Sequence, residues 1–292
     1  MTRLKVLVTG ANGMLADSLC PLLRKEGYEV YLSDLSVTED VFNLDVRQRE
    51  QIDDFLKTHK VDIIYHLAAE TDVDKCELNQ AHAYETNAKG TENVALGCRQ
   101  YGCTLVYISS GAVFDGEKMN GYTEEDPPNP ISVYGKSKLD GERIIQSLLS
   151  KYYIVRAGWM IGGYNKDKKF VWKIVQLLKT KKEIPVVIDK IGSPTFTNDF
   201  SRGLVSIVAA GKYGLYHCVN KGICTRFDIA EKIVEYLGKK DVVLKPVGSE
   251  YFPLPAPRWK SEALLNFRLS NMGMDIMRPW QDSLREYLAD IR

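Results

Sequence analysis

Short apolar runs alternate with amphipathic stretches along the first half of the chain. The apolar runs have the length of buried strands and cover 4–8, 28–33, 61–67, 105–109 and 153–156. The stretches with apolar residues at helical spacing cover 14–25, 48–59, 81–101 and 133–149. Such an alternation builds βαβ units, whose parallel strands are covered by helices on both faces. With right-handed crossovers, the pattern predicts an α/β fold with a doubly wound (Rossmann) parallel sheet.

The pattern changes after Trp159. Helical stretches over 170–179, 200–210, 227–237 and 281–291 are separated by short strands and by loops that contain proline. The chain has no internal repeat and no low-complexity linker to mark a sharp boundary. We therefore predict one large domain over 1–158 and a smaller portion over 159–292, packed on the carboxyl edge of the sheet. The boundary is soft, and the chain can cross it again.

Composition and charge narrow the class of protein. The apolar fraction of 45% is ordinary for a globular chain, and 39 basic against 38 acidic residues leave a net charge of +1. The densest basic cluster, over 179–182, is too short for a nucleic-acid footprint. No apolar run approaches the ~20 residues of a membrane helix, and Met1 leads straight into a strand rather than a signal peptide. Because the six cysteines have no metal-binding spacing, we expect a cytoplasmic protein with reduced thiols, no bound metal and no membrane or nucleic-acid partner.

The turn between the first strand and the first helix carries two glycines. Gly10 and Gly13 stand where a side chain would keep the backbone away from a pyrophosphate, which would face the N-terminus of the helix. Ala16 replaces the third glycine of the usual pattern and is small enough for the helix–strand contact. The context of strand, loop and helix predicts a dinucleotide-binding loop around Gly10 and Gly13. Residues 1–158 are thus predicted to bind NAD(P), and residues 159–292 mainly the substrate.

The second strand ends on an acidic residue. Asp34 lies some twenty residues past the glycine loop, where a carboxylate accepts hydrogen bonds from an adenosine ribose. It would repel a 2′-phosphate and no arginine immediately follows it, which favours NADH over NADPH, although a surface Asp in a turn is the alternative. Further along, Asp45 and Val46 precede a helix, while small residues over 67–69 end a strand. These segments are expected to line the adenine and the nicotinamide ribose.

A tyrosine and a lysine stand four residues apart at the start of a predicted helix. Tyr134 and Lys138 therefore share one face. A neighbouring ammonium, together with a positive nicotinamide ring, would lower the phenol pKa from its usual value of about 10. Ser110 ends a predicted strand and is placed to hydrogen-bond the same carbonyl group. The order of glycine loop, strand-end serine and Tyr/Lys pair predicts a reductase that uses NADH or NADPH, with Tyr134 protonating a carbonyl oxygen.

Several longer segments make the sequence resemble the extended short-chain dehydrogenases and, within them, the dTDP-4-dehydrorhamnose reductase family. The similarity covers nearly the whole chain. The matching segments are 66–77, 87–92, 113–116, 134–142, 156–159, 192–199, 214–217 and 258–269. Among them, the stretch Val73 to Glu77, the stretch Gly192 to Thr195 and Trp159 are more specific than the motifs shared by the superfamily.

This resemblance implies a set of site residues. The catalytic triad would be Ser110, Tyr134 and Lys138. The dinucleotide would be held by Gly10, Asn12, Gly13, Met14, Leu15, Asp34, Asp45, Val46, Leu67, Ala68, Ala69, Thr71, Tyr134 and Lys138. The substrate would contact Ser110, Gly111, Trp159 and Arg258, with Trp159 stacked against the sugar. The substrate is then a nucleotide-linked keto-sugar, and a homodimer stays open.

The chain departs from the family pattern beside the catalytic serine. Where the family usually has Thr-Asp-Tyr before Val-Phe, this chain has Ser110, Gly111 and Ala112. The serine keeps the hydroxyl, whereas the two polar groups that follow are lost. The departure suggests fewer polar contacts to the sugar, a looser discrimination between sugars, and a substrate that differs from dehydrorhamnose.

Three alternatives share these motifs. A sugar-nucleotide 4-epimerase has a similar serine-rich strand end and would retain its NAD between half-reactions. A 4,6-dehydratase would need carboxylates after the catalytic hydroxyl, which Gly111 and Ala112 do not supply. A non-catalytic regulatory subunit, like the β subunit of methionine adenosyltransferase, resembles the same reductases, but the intact Ser/Tyr/Lys set argues for catalysis.

Overall fold

The computed structural model describes residues 3–38, 40–167 and 169–291, and its centre is a seven-stranded sheet in which every pairing is parallel. The strands of the chain are β1 (Lys5–Thr9), β2 (Glu29–Asp34), β3 (Val41–Asn43), β4 (Ile63–His66), β5 (Thr104–Ser110), β6 (Tyr152–Ala157), β7 (Trp159–Ile161), β8 (Glu183–Val187), β9 (Ile191–Gly192), β10 (Pro194–Phe196), β11 (Gly214–His217), β12 (Cys224–Thr225), β13 (Val243–Val247) and β14 (Ser261–Glu262). The order in the sheet is β3-β2-β1-β4-β5-β6-β11. The prediction of a doubly wound parallel sheet is confirmed.

The helices cover both faces of this sheet. They are α1 (Met14–Lys25), α2 (Arg49–His59), α3 (Val73–Leu78), α4 (Gln80–Tyr84), α5 (Gly90–Tyr101), α6 (Val133–Leu148), α7 (Phe170–Leu177), α8 (Thr197–Ala209), α9 (Arg226–Tyr236), α10 (Phe267–Asn271) and α11 (Trp280–Asp290). Alternate residues of β1 point to opposite faces. Val6 and Val8 pack in one core with residues of α1 and α8, while Leu7 packs in another with residues of α2, α5 and α6.

The sequence prediction of one long helix over 81–101 is wrong in its middle. The structure has α4, a π-helical turn over Glu85–Lys89 and then α5, which ends at Gly102 in the left-handed conformation, as expected. A π turn inserts one extra residue into the helix and redirects the side chains at that point. The short strand β3 and the helix α3 were not predicted at all, because three to six residues carry too little periodicity to be recognised.

The C-terminal portion contributes to the large sheet as well as to the cleft beside it. Strand β11 pairs with β6 at the edge of the sheet, and α8 packs on α1. The remaining elements form a separate core and three small sheets, β10-β7, β12-β9-β14 and β13-β8. Residues after 158 thus return to the large sheet through β11 and α8. The division into a cofactor-binding and a substrate-binding portion stays a proposal. None of the helices in the described residues is both long and apolar enough to span a membrane.

Candidate active site

A cleft of about 1660 Å³ opens at the carboxyl ends of the central strands, between the sheet and the C-terminal portion. In an open parallel sheet this is where ligands bind, at the point where the strand order reverses. Here that point lies between β1 and β4. The volume exceeds the several hundred Å³ of an ordinary small-molecule pocket. The cleft therefore has room for two extended ligands side by side.

The glycine loop lies at the end of β1 and closes against β4. Gly10 has a φ of +71°, and a Cβ there would lie 2.7 Å from the backbone nitrogen of Ala68. Helix α1 begins after Gly13, which provides no side-chain cap, so the first N–H groups of the helix are not capped by a side chain. This close backbone approach and this bare helix N-terminus fit a pyrophosphate. Asn12, Met14 and Leu15 line the same cleft, and their contact with a cofactor stays a prediction.

Asp34 clamps the glycine loop as well as facing the cleft. Its Oδ2 accepts a hydrogen bond from the backbone nitrogen of Asn12 at 3.0 Å, and its Oδ1 accepts from Ser36 at 3.2 Å. Each carboxylate oxygen has a further lone pair, so the same side chain can also accept from a ribose hydroxyl. Its assignment to the ribose remains a prediction.

The segment expected at the adenine is held by two polar contacts that the sequence did not reveal. Asp45 binds the Arg47 guanidinium through both oxygens, the shortest distance being 2.6 Å, and this hydrogen bonding holds the pKa of the carboxyl below its usual range. The amide of Asn93 donates to the carbonyl of Val46 at 3.0 Å. Asp45 and Val46 both line the cleft, with the Asp45 charge already paired.

The loop after β4 is fixed to two helices through one side chain. The predicted cofactor residues Leu67, Ala68, Ala69 and Thr71 all line the cleft. Buried Asn87, in the π-helical turn, accepts from the Glu70 nitrogen at 2.9 Å and donates to the Glu70 carbonyl and to Ser137 of α6. The π turn therefore ties the loop after β4 to α6.

Two consecutive serines at the end of β5 point in opposite directions. Ser109 is buried and donates to Glu142 at 2.5 Å, and Glu142 in turn pairs with buried Arg156 at 2.7 Å. Ser110 lines the cleft, and its Oγ accepts from the Ala112 nitrogen at 3.2 Å. Ser109 also borders the cleft, but its hydroxyl is engaged with Glu142, so Ser110 is the serine whose hydroxyl is available to a ligand.

Tyr134 lies in the first turn of α6, beside Ser110. Ser132 caps this helix by accepting from the Gly135 nitrogen, which fixes where the helix begins. Burial raises the pKa of the Tyr134 phenol to about 12, and its interaction with the Ser110 hydroxyl lowers the pKa only in part. The prediction that a neighbouring ammonium lowers this pKa does not hold for the protein alone, because desolvation of the phenol dominates.

Lys138 follows one turn later on the same helix and is 3% exposed. Its Nζ lies 4.1 Å from the centre of the Tyr107 ring. Burial lowers the pKa of Lys138 to about 7, and the charge of Glu142 opposes that shift. The Lys138 ammonium therefore loses its proton more easily than that of an exposed lysine.

The predicted substrate residues do not all reach the cleft. Trp159 lines it but is 7% exposed, and the guanidinium of Arg226 covers its ring at 3.6 Å from the centroid. Arg258 lines it too, and is paired with Asp74 at 2.8 Å. Gly111 is buried, and a Cβ there would lie 3.3 Å from the Leu264 side chain. Gly111 is not among the residues that line the cleft, and its contact with the substrate stays a prediction.

Several residues of the C-terminal wall were missed by sequence reasoning. They line the cleft near Trp159 and are Lys169, Phe170, Lys173, Arg226 and Glu262. None of them belongs to a recognisable motif, and they come from three separate segments. The described residues contain no cluster of His, Cys, Asp or Glu arranged to hold a metal ion.

Comparison with known proteins agrees with this geometry. The family model of the RmlD substrate binding domain matches residues 4–292. The spore coat polysaccharide biosynthesis protein SpsK of Bacillus subtilis is 34% identical over 286 residues, which are 98% of this chain and 97% of that protein.

Two solved structures are similar over almost their entire length. A dTDP-4-dehydrorhamnose reductase from Clostridium acetobutylicum is 39% identical, with a TM-score of 0.92 and 99% of both chains covered. The dTDP-4-dehydrorhamnose reductase of Bacillus anthracis, solved in complex with NADP, is 36% identical, with a TM-score of 0.91, and covers 99% of this chain and 100% of its own.

Proposed function

The chain belongs to the RmlD substrate binding domain family, and from this premise we propose that it is a dTDP-4-dehydrorhamnose reductase that uses NADPH or NADH. One observation carries the proposal. The Ser110 hydroxyl and the Tyr134 phenol meet in the same cleft as the glycine loop, at the carboxyl end of the sheet. A proton donor, a carbonyl-binding hydroxyl and a dinucleotide site thus share one enclosed space, as reduction of a ketone requires.

The cofactor-binding role rests on the loop between β1 and α1. Gly10 gives the close approach, the N-terminus of α1 gives the uncapped N–H groups, and Asp34 holds Asn12 in place. When bound, the reduced nicotinamide supplies a hydride, that is, two electrons and a proton, to the carbonyl carbon of the sugar. NADP in the Bacillus anthracis relative supports NADPH as one of the two cofactors.

The chain's own residues handle the carbonyl oxygen. Ser110 Oγ donates a hydrogen bond to it, and Tyr134 Oη transfers its proton to it, so that the product carries a hydroxyl group. Because burial raises the pKa of Tyr134 to about 12, the phenol stays protonated and ready to donate at neutral pH. A protonated Lys138 stabilises the phenolate that remains, and the Glu142 charge behind it favours that protonated form.

A panel of nucleotide sugars tests the proposal. The protein is mixed with dTDP-4-dehydrorhamnose and with other nucleotide-linked keto-sugars, and the loss of NADPH or NADH absorbance is followed. We expect the fastest reduction with dTDP-4-dehydrorhamnose. Preference for another keto-sugar would reassign the substrate. NAD that stays bound through gel filtration, with interconversion of two sugars and no net oxidation, would identify an epimerase instead. Absence of any turnover would favour a regulatory subunit.

A further inference from the structure

The small sheet β12-β9-β14 surrounds Trp159 with groups of opposite charge. In its register both Cys224 and Glu262 pair with Gly192, and Arg226 follows two residues after Cys224. Gly192 packs so tightly on the indole that a Cβ there would lie 2.4 Å from the ring. The carboxylate thus comes from β14, and the guanidinium comes from the first residue of α9, directly after β12.

Arg226 contacts the indole through its guanidinium and has no anionic partner among the described residues. Its Cζ lies 3.6 Å from the centre of the Trp159 ring and 5.1 Å from that of Phe170. Burial lowers its pKa to about 10, while the nearby charges of Glu262 and Asp167 act in the opposite direction. A guanidinium stacked on aromatic rings leaves its N–H edge free to bind an oxyanion, and a buried charge is costly until it is paired.

Glu262 contacts the same indole at its nitrogen. Trp159 Nε1 donates to Glu262 Oε2 at 2.7 Å, and no described residue donates to the second oxygen, Oε1. The carboxylate lines the same cleft as Tyr134, and its charge acts to raise the pKa of that phenol. No ion pair joins Glu262 to Arg226 among the described residues, because each is engaged with a different part of the indole.

We propose that Glu262 determines the sugar specificity of this site by accepting a hydrogen bond from a ring hydroxyl, while Arg226 binds an oxygen of the diphosphate. The inference rests on the proposed function and adds to it the residues that select the sugar. A carboxylate oxygen that has no protein donor and lines the same cleft as Ser110 and Tyr134 suits the sugar, which presents hydroxyl groups. A guanidinium without a carboxylate partner suits the anionic part.

This arrangement accounts for the departure beside Ser110. The polar groups that the family pattern places after the catalytic serine are replaced by Gly111 and Ala112, both of which are buried. Polar contacts to the sugar are supplied from the other end of the chain instead, by Glu262. A site that hydrogen-bonds a hydroxyl strongly rejects analogues that lack it, so the expected discrimination is tight rather than loose.

The first experiment measures binding rather than turnover. Affinities for dTDP, for dTDP-L-rhamnose and for NADPH are measured for the unmodified protein and for Glu262→Gln. Gln keeps an acceptor for Trp159 Nε1 but removes the charged acceptor, so we expect about a ten- to hundredfold loss of affinity for dTDP-L-rhamnose. Affinities for dTDP and for NADPH should not change. Glu235→Gln, which makes the same change at an exposed carboxylate paired with Lys232 outside the cleft, should leave all three affinities intact.

Arg226→Gln should give a different result. Because the diphosphate belongs to both ligands, we expect this variant to lose affinity for dTDP and for dTDP-L-rhamnose by the same factor, about ten- to hundredfold. Unchanged affinity for dTDP would overturn the role of Arg226. Thermal unfolding and NADPH affinity measured on each variant separate a loss of contact from a loss of structure.

A set of deoxy analogues tests the hydroxyl contact directly. Replacing the hydroxyl that faces Glu262 by hydrogen should weaken binding to the unmodified protein and have no effect on Glu262→Gln, as a double-mutant cycle requires. If every deoxy analogue loses the same affinity in both proteins, the proposal for Glu262 is overturned. If the substrate panel identifies another nucleotide sugar, the proposed function is wrong but the roles of Glu262 and Arg226 are still open to test. The same variants are then measured with that sugar.

Discussion

The two walls of the cleft are built in different ways. The cofactor wall consists of loops that each follow a strand of the central sheet, and its key contacts are made by backbone atoms, as between Gly10 and Ala68. The substrate wall is assembled from side chains of distant segments, with Trp159, Arg226 and Glu262 meeting around one indole. A backbone cradle is determined by local conformation and can recur unchanged in many sequences. A side-chain wall can change one residue at a time, so we expect specificity to reside there.

The largest effect should come from Tyr134, the proposed proton donor, which lines the cleft. Tyr134→Phe removes the proton donated to the carbonyl oxygen, and we expect kcat to fall by about 10²- to 10⁴-fold, with NADPH affinity almost unchanged. Single-turnover kinetics measure the loss of rate, and equilibrium binding measures the NADPH affinity. Tyr84→Phe, a partly buried tyrosine packed in the same small cluster, serves as the control and should keep its activity. Retention of half the kcat by Tyr134→Phe would refute the assignment.

The backbone character of the cofactor wall can be tested at Gly10. Alanine at this position meets both an unfavourable φ of +71° and a contact of 2.7 Å with Ala68, so we expect about a ten- to hundredfold loss of NADPH affinity. Gly27→Ala is the control, since Gly27 also has a positive φ of +88° but nothing within 4 Å of a Cβ. The control should lose some stability and no cofactor affinity. Equal losses of affinity in both variants would mean that the close approach is irrelevant.

Gly111 tests whether the departure beside Ser110 belongs to the substrate wall at all. Because Gly111 is buried against Leu264, an aspartate there would bury a carboxylate without a partner. We expect Gly111→Asp to lower the free energy of unfolding by about 2 kcal/mol and to leave kcat/KM for dTDP-4-dehydrorhamnose no higher than before. Denaturant unfolding and steady-state kinetics measure the two quantities. A gain in kcat/KM would place residue 111 in contact with the sugar after all.

The buried lysine makes stability depend on pH in a definite direction. The pKa of Lys138 is lowered to about 7 in the folded protein, so between that pH and the ordinary lysine value of about 10.5 the unfolded chain binds more protons. The free energy of unfolding therefore rises with pH across this window, by up to about 1.4 kcal/mol per pH unit, and the cost of burying the charge is fully present below it.

Lys138→Met should abolish the part of the pH dependence of unfolding that Lys138 causes. We expect the variant to be more stable than the unmodified protein at pH 7, and the advantage to shrink as the pH approaches 10. Denaturant unfolding at several pH values provides the test, with the exposed Lys136 of the same helix changed to Met as the control. A constant difference between the two proteins across the range would show that Lys138 is not desolvated.

The same contrast between the walls explains what the sequence could predict. Strand ends, the glycine loop and the Tyr134–Lys138 spacing are local features, and all of them lie where they were expected. Arg226 and Glu262 are separated from Trp159 by 67 and 103 residues, as the numbering shows, and only the register of β12, β9 and β14 brings them together. That register depends on strands of two residues each, which carry no periodic signal. The burial of Gly111 was not predicted for a similar reason, because Gly111 packs against Leu264, which is far along the chain.

The smallest effect concerns Asp34. The sequence predicts that it binds the ribose, and the structure shows that it also holds the backbone of Asn12. As a neighbour of the ribose, its charge would repel a 2′-phosphate, so Asp34→Ala should raise the ratio of kcat/KM for NADPH to that for NADH by about three- to tenfold, or about 1 kcal/mol. If Asp34 mainly holds Asn12 in place, loss of its side chain should lower the affinity for both cofactors equally. Asp34→Asn removes the charge but keeps one acceptor oxygen for Asn12, so it should change the ratio without the common loss. Measuring kcat/KM for both cofactors in both variants separates the two tasks, and an unchanged ratio in each would mean that Asp34 acts on the loop alone.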